Sequence, residues 1–213
     1  LRDYAIHGEE SPKPDVARAL LESVVPRTRD QQRRCFELLV AAGVFSPDEP
    51  MELHQTGIRE QFPEEAIEEA AAIGLDHLLQ QPQRRDLTGL AAVTIDDAEA
   101  KDRDDALSLE RQDSSYRIGV HIADAGSVVK QGSLLDREAD RRMSSIYLPE
   151  RSISMLPPEI AGDKGSLVPG QRRLGLSVVA RVTADGDILD WEVAPSVVTN
   201  RAALTYQEVD AAI

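Results

Sequence analysis

The sequence predicts an α+β fold, in which a mixed sheet with flanking helices follows a mostly helical region. Residues 1–85 carry helix-start signals and helical periodicity, whereas residues 86–213 carry short apolar runs bounded by turn residues. The apolar runs lie next to one another and are only interspersed with helical segments, which is typical of α+β proteins. We therefore expect two regions, a helical region with a connector (1–85) and a sheet-containing region (86–213).

Three helices are predicted in the first region. Pro14 opens a helix that runs to about Val25 with its apolar residues on one face. Thr28 is the predicted cap of a second helix, which Gly43 ends. Pro63 suits the first turn of a third helix, and two glutamates follow it near the positive end of the helix dipole.

The second region is predicted to be built mainly from strands. The predicted strands are Leu90 to Ile95, Ala106 to Leu109, Tyr116 to Ala123, Arg173 to Val182 and Ile188 to Val198. A helix is predicted from Leu134 to Met143, and Thr205-Tyr206-Gln207-Glu208 is a capping box that starts another. Trp191 alternates with polar residues and His121 lies in an apolar run, so we interpret both as packing residues.

Composition excludes several classes of protein. Hydrophobic residues make up 41% of the chain and charged residues 29%, which is typical of a folded domain. The longest apolar run, Leu38 to Phe45, is far shorter than a membrane span, and we expect no membrane partner. Cys35 is the only cysteine, so an internal disulfide is excluded and a reducing cytoplasm is expected. The chain starts with Leu1, and we expect a segment of a longer protein.

Four aspartates, Asp96, Asp102, Asp104 and Asp105, crowd the segment between two predicted strands. In a tight loop these like charges repel strongly, and a divalent cation relieves the repulsion. An all-oxygen donor set favours hard ions such as Mg²⁺ or Mn²⁺, and one ion or two can assist phosphodiester cleavage. Taken alone, the cluster also fits a solvated turn or a structural calcium loop, although the glycine of an EF-hand loop is absent. The net charge of −14 argues against a nucleic-acid partner unless a metal balances this cluster.

A family resemblance begins at the same cluster. The signature of the ribonuclease II / ribonuclease R family resembles Thr94-Ile95-Asp96, a spacer, and then Asp102-Arg103-Asp104-Asp105-Ala106-Leu107-Ser108. Further blocks in the family's order are Arg85-Asp86-Leu87-Thr88, Gly119-Val120-His121-Ile122-Ala123-Asp124, Gly132 to Ala139, Ser145-Ile146-Tyr147-Leu148-Pro149, Met155 to Glu159, Ser166-Leu167, Arg173 to Ser177 and Leu204 to Val209. These blocks follow one another in the family's order over residues 85–213, so they indicate the family more specifically than the aspartates alone.

The resemblance implies the N-terminal part of an RNB-like catalytic domain. Such enzymes are Mg²⁺- or Mn²⁺-dependent 3′-to-5′ exoribonucleases that hydrolyse single-stranded RNA processively to nucleoside 5′-monophosphates. The resemblance also implies a role for each aspartate. Asp96 and Asp105 would bind the metal directly, Asp102 would support the metal site, and Asp104 would be essential to the reaction because it holds the activated water. All four aspartates are thus metal-site candidates, with Asp102 and Asp104 the catalytic ones.

The resemblance also implies an RNA-binding surface near Tyr147, which matches a family tyrosine that stacks on a base close to the 3′ end. Arg142 and Arg151 flank this tyrosine and are candidate phosphate contacts, with ordinary salt bridges as the alternative. The family's phosphate-neutralising arginine and its later RNA-binding domain are expected beyond residue 213. The alternative function is a catalytically inactive RNA-binding relative, and residues 1–85 could serve an interaction role.

Overall fold

The computed structural model describes residues 1–148 and 151–213. Its contacts divide the chain into two compact units, Leu1–Glu60 and Gln61–Ile213. This division falls earlier than the boundary that we expected at residue 85. The reason is that Ala66 and Ala70, on the first helix of the second unit, are fully buried in a core shared with Leu135 and Ile160.

The helices and strands follow most of the predicted segments. The α-helices span Arg2–His7 (α1), Pro14–Val24 (α2), Gln31–Ala41 (α3), Met51–Thr56 (α4), Glu64–Ala72 (α5), Asp76–Leu79 (α6), Ala125–Val128 (α7), Leu134–Arg142 (α8) and Tyr206–Asp210 (α9). The strands span Arg85–Asp86 (β1), Ala92–Asp96 (β2), Asp105–Gln112 (β3), Ser115–Ala123 (β4), Ile146–Tyr147 (β5), Ser152–Ile153 (β6), Arg172–Thr183 (β7) and Ile188–Thr205 (β8). Within the described ranges, no helix is long and apolar enough to cross a membrane.

The first unit is helical, as predicted, and α1 to α4 surround a core in which Leu21 and Cys35 are fully buried. One cap differs from the prediction. The side chain of Asp30, not Thr28, accepts the hydrogen bond from the backbone N–H of Arg33, at 2.9 Å. The Thr28 hydroxyl instead donates to the Asp30 carbonyl, so Thr28 stabilises the turn before the helix.

The mixed sheet of the second unit closes on itself. Its six strands, all within the described residues, run in the order β1-β8-β2-β3-β4-β7, and β8 also pairs with β7. The first part of β8 pairs antiparallel with β7, whereas its last part, up to Thr205, pairs parallel with β2. The long strand β8 therefore joins both sides of a ring made by β8, β2, β3, β4 and β7. The α+β prediction of a mixed sheet with flanking helices is confirmed.

The inner face of this ring holds a chain of buried polar side chains. His121 is fully buried, with Nε2 3.0 Å from the Ser108 hydroxyl and Nδ1 2.7 Å from the Ser177 hydroxyl. Ser177 is in turn 2.6 Å from Ser196. A Cβ on Gly119 would lie 2.4 Å from the Ser108 oxygen. The absence of a side chain at Gly119 therefore leaves space for the hydrogen bond between Ser108 and His121. Burial lowers the pKa of His121, which agrees with its predicted packing role.

The outer face of the same strands is apolar and open. Leu109, Ile122 and Val193 are all exposed there. Trp191, which we interpreted as a packing residue, is 66% exposed, so that interpretation is wrong. Alternation on a strand indicates that one face differs from the other, and it does not tell which of the two faces is buried.

Candidate metal and RNA-binding site

Two strands deliver two of the aspartates to one edge of the sheet. Asp96 is the last residue of β2 and lies opposite Thr205 of β8. Asp105 is the first residue of β3 and lies opposite Ile122 of β4. Because β2 and β3 are antiparallel neighbours, the end of one strand and the start of the next meet at the same edge.

The loop between these strands is held by backbone hydrogen bonds. The Arg103 N–H donates to the Ser166 hydroxyl at 2.9 Å, and the Arg103 carbonyl accepts from the Leu167 N–H at 2.9 Å. The Asp104 carbonyl accepts from the Ala123 N–H at 2.7 Å. These three bonds fix the backbone on which Asp102 and Asp104 sit, so the acidic loop is tied to neighbouring segments on both sides.

The carboxylates lie close enough to affect one another. Burial raises the pKa of Asp104, and the negative charges of Asp102, Asp105 and Asp96 raise it further. The solvent-accessible surface nevertheless leaves the Asp104 residue exposed. Asp104 is thus a carboxyl group that reaches solvent while three other carboxylates lie near it. Such a concentration of negative charge favours a bound cation.

The candidate ligands are all carboxylate oxygens, which are the donors that hard divalent cations prefer. Asp96 Oδ2 is buried and has no hydrogen-bond partner, which is costly unless a ligand satisfies it. In the described part of the chain, however, no group of three or more acidic, histidine or cysteine side chains is already arranged to hold a metal. The backbone thus brings the four carboxylates together, and their side chains must rotate to converge on one ion.

Tyr147 lies beside this site. Its hydroxyl donates a 2.6 Å hydrogen bond to Asp102 Oδ2, and this bond raises the pKa of the tyrosine. The residue is nevertheless 66% exposed, on the short ladder of β5 and β6. The exposed ring is available to stack on a base. Pro149, the last residue of the predicted block around Tyr147, lies outside the described residues.

The two candidate arginines are placed differently. Arg142 is buried, its guanidinium lies 3.9 Å from the centre of the Phe62 ring, and Nη2 donates to the Gln61 carbonyl at 3.1 Å. Burial lowers its pKa. This arrangement favours a packing role for Arg142 over a phosphate contact. Arg151 is exposed, and its carbonyl accepts a hydrogen bond from the Leu148 N–H. Its role as a phosphate contact stays a prediction.

The structure adds Arg103, which the sequence reasoning did not single out. Its side chain lies in the acidic site, with Nε 3.9 Å from Asp96 Oδ2. A positive residue inside a run of aspartates was the available signal. The family signature includes Arg103, but the resemblance gave it no role.

Comparisons with known proteins identify the family of residues 84–213. The model of the RNB domain matches residues 84–213. Ribonuclease R of Chlamydia muridarum is 39% identical over 165 residues, which cover 76% of this chain and 24% of that protein. Similarity also extends to an inactive exonuclease of Arabidopsis thaliana, 40% identical over 125 residues, which cover 58% of this chain and 12% of that protein.

A solved structure matches as well. The fold is similar to that of Mycoplasma genitalium RNase R in complex with ribose methylated single-stranded RNA, with a TM-score of 0.70 and 28% identity. The match covers 74% of this chain and 25% of that one. The chain thus spans about a quarter of the length of the ribonuclease R relatives that it matches.

Proposed function

The chain belongs to the RNB domain family, and on that premise we propose that it forms part of a divalent-metal-dependent 3′-to-5′ exoribonuclease. The proposed substrate is single-stranded RNA, which is hydrolysed processively to nucleoside 5′-monophosphates. The observation that carries the proposal is that Asp96 and Asp105 lie at one sheet edge beside the loop that bears Asp102 and Asp104. There, burial and the charges of Asp102, Asp105 and Asp96 raise the pKa of Asp104.

Each aspartate has a proposed role that its position supports. Asp96 and Asp105, at strand termini, would hold the ion from fixed backbone, and Asp102 would support it from the loop. A bound Mg²⁺ or Mn²⁺ would supply water activation and neutralise charge on the phosphate. Asp104, with the other three carboxylates near it, would orient the attacking water by accepting a hydrogen bond from it.

Product analysis tests this proposal directly. The full-length protein is incubated with a 5′-labelled single-stranded RNA and Mg²⁺, and the products are separated by size and by terminal group. We expect nucleoside 5′-monophosphates from the first turnover, with few labelled intermediates because the enzyme is processive. Chelation of the metal with EDTA should stop the release, and added Mn²⁺ or Mg²⁺ should restore it.

Other outcomes point to other functions. Binding of the RNA without any release of nucleotides, at saturating Mg²⁺ and Mn²⁺, would favour the inactive RNA-binding relative. Internal cleavage, or release that persists in EDTA, would contradict the proposed reaction.

Tyr147 is proposed as a stacking platform near the 3′ end of the RNA. We expect Tyr147→Ala to weaken RNA binding roughly 5- to 150-fold, because stacking on an aromatic ring contributes about 1–3 kcal/mol per base. Tyr147→Phe keeps the ring and should retain most of the affinity. Binding is measured by fluorescence anisotropy with labelled RNA in the absence of turnover.

The matched control for this variant is Trp191→Ala, which removes an equally exposed aromatic ring from the outer face of the sheet. That variant should bind RNA like the wild type. If Tyr147→Ala also binds like the wild type, stacking on Tyr147 is excluded.

A further inference from the structure

Arg103 lies in the middle of the acidic site and has no role in the proposed reaction. Its Nε is 3.9 Å from Asp96 Oδ2, and the two side chains are only 22% and 18% exposed. This separation is too long for a hydrogen bond, so the pair interacts through charge alone. A cation of the chain itself therefore stands beside a predicted metal ligand.

Both atoms of this pair are incompletely satisfied. Asp96 Oδ2 and Arg103 Nε are each buried, and neither has a hydrogen-bond partner among the described residues. Buried donors and acceptors normally find hydrogen-bond partners, so both atoms retain unused hydrogen-bonding capacity. The arrangement leaves the Asp96 oxygen available to a stronger cation.

The backbone on both sides of the pair is held in place. Arg103 is held by its N–H and carbonyl against Ser166 and Leu167, and Asp96 is held in the ladder opposite Thr205. The 3.9 Å separation can therefore change by side-chain rotation. Rotation of the Arg103 side chain can move its guanidinium away from Asp96 while the backbone of the acidic loop stays in place.

We propose that Arg103 is the resident counter-ion of Asp96, which a divalent cation displaces when it binds to the acidic site. This proposal rests on the proposed metal-dependent function. The guanidinium stabilises the metal-free carboxylates by opposite charge, and the same charge repels an incoming cation. Arg103 is thus a positioning residue that sets how tightly the site holds its metal and how stable the site is without it.

Metal binding to the full chain tests the proposal without any measurement of RNA cleavage. Binding of Mn²⁺ is followed by the electron paramagnetic resonance signal of the free ion, and the thermal midpoint is measured in EDTA. We expect Arg103→Gln to bind Mn²⁺ at least about threefold more tightly, since a nearby repelling charge is removed. The same variant should unfold at a lower temperature than the wild type in EDTA. Arg103→Lys, which keeps the charge, should lie close to the wild type in both measurements.

The matched control is Lys101→Gln, which removes one positive charge from the same loop. Lys101 is exposed and makes no ion pair in the described part of the chain. We expect its Mn²⁺ affinity and thermal midpoint to stay near those of the wild type. An equal gain in affinity in both variants would overturn the proposal, because the effect would then be one of net charge.

A second measurement uses the wild type and does not depend on how a variant folds. The Nε–H resonance of Arg103, identified by its absence from Arg103→Lys, should shift when Mg²⁺ is added. An unmoved resonance at saturating Mg²⁺, or a wild type that binds no Mn²⁺, would overturn the proposal. A wild type that binds Mn²⁺ with a shifted Arg103 resonance but leaves RNA intact would contradict only the proposed function.

Discussion

Replacement of Asp104 by asparagine should abolish RNA hydrolysis in the full-length protein and leave RNA binding nearly unchanged. Asparagine keeps the size of the side chain and removes the negative charge that is proposed to hold the attacking water. Loss of a group that acts in the reaction itself lowers kcat by roughly 10³-fold or more. Because one repelling charge near the RNA is lost, affinity should be equal to or slightly higher than that of the wild type. Single-turnover rates and anisotropy measure the two effects separately.

The control for this variant lies in the same loop. Asp97→Asn removes the same charge from an exposed residue that follows Asp96 and that contributes nothing to the shifted pKa of Asp104. Its turnover should stay close to that of the wild type. Unchanged turnover in Asp104→Asn would refute the assignment, and an equal loss in both variants would indicate a general charge effect.

Much of the fold follows from local signals, and those parts were predictable. Strands β3 and β4 coincide with apolar runs, and the β7–β8 hairpin follows from two long runs around a turn at Gly186. The capping box at Thr205 is present with both of its hydrogen bonds. In each of these elements, residues a few positions apart determine the structure, so a single sequence is sufficient.

The remaining features depend on contacts between distant residues. Closure of the sheet requires the last part of β8 to pair with β2, more than a hundred positions earlier in the chain. The hydrogen bond from Tyr147 to Asp102 and the burial of Arg142 also depend on how separate segments pack. The four aspartates were found because the family resemblance selects them, whereas Arg103 needed the structure to show where its side chain points.

Replacement of Asp124 by alanine should cause a large loss of stability, about 3 kcal/mol in the free energy of unfolding, because it leaves a buried arginine without its ion-pair partner. Arg84 has a side chain that is only 3% exposed, and its Nη2 donates to Asp124 Oδ2 at 2.9 Å. Asp124 also caps α7 by accepting from the Ser127 N–H. The variant removes the cap and leaves the Arg84 guanidinium without its counter-charge. Urea denaturation measures the loss.

The effect should depend on pH in a defined direction. Burial raises the pKa of Asp124, but the hydrogen bonds from Ser127 and Arg84 outweigh it and hold the pKa below its usual value. A carboxyl group with a lowered pKa stabilises the folded state above its unfolded pKa of about 3.9, and this contribution is lost as the pH falls through the folded pKa. The difference between wild type and variant should therefore be full at neutral pH and shrink in acid.

Two further variants separate the causes of this loss. Asp124→Asn retains a cap for α7 but loses the charge, so its deficit at neutral pH isolates the ion pair with Arg84. Asp185→Ala removes an aspartate from the exposed turn between β7 and β8 and should change stability by less than about 0.5 kcal/mol. A deficit in Asp124→Ala no larger than that of Asp185→Ala, or one that persists unchanged at low pH, would show that the pair contributes little. The expected result would show that Asp124 stabilises the fold. This role distinguishes Asp124 from the four aspartates of the acidic site, for which a role in the reaction is proposed.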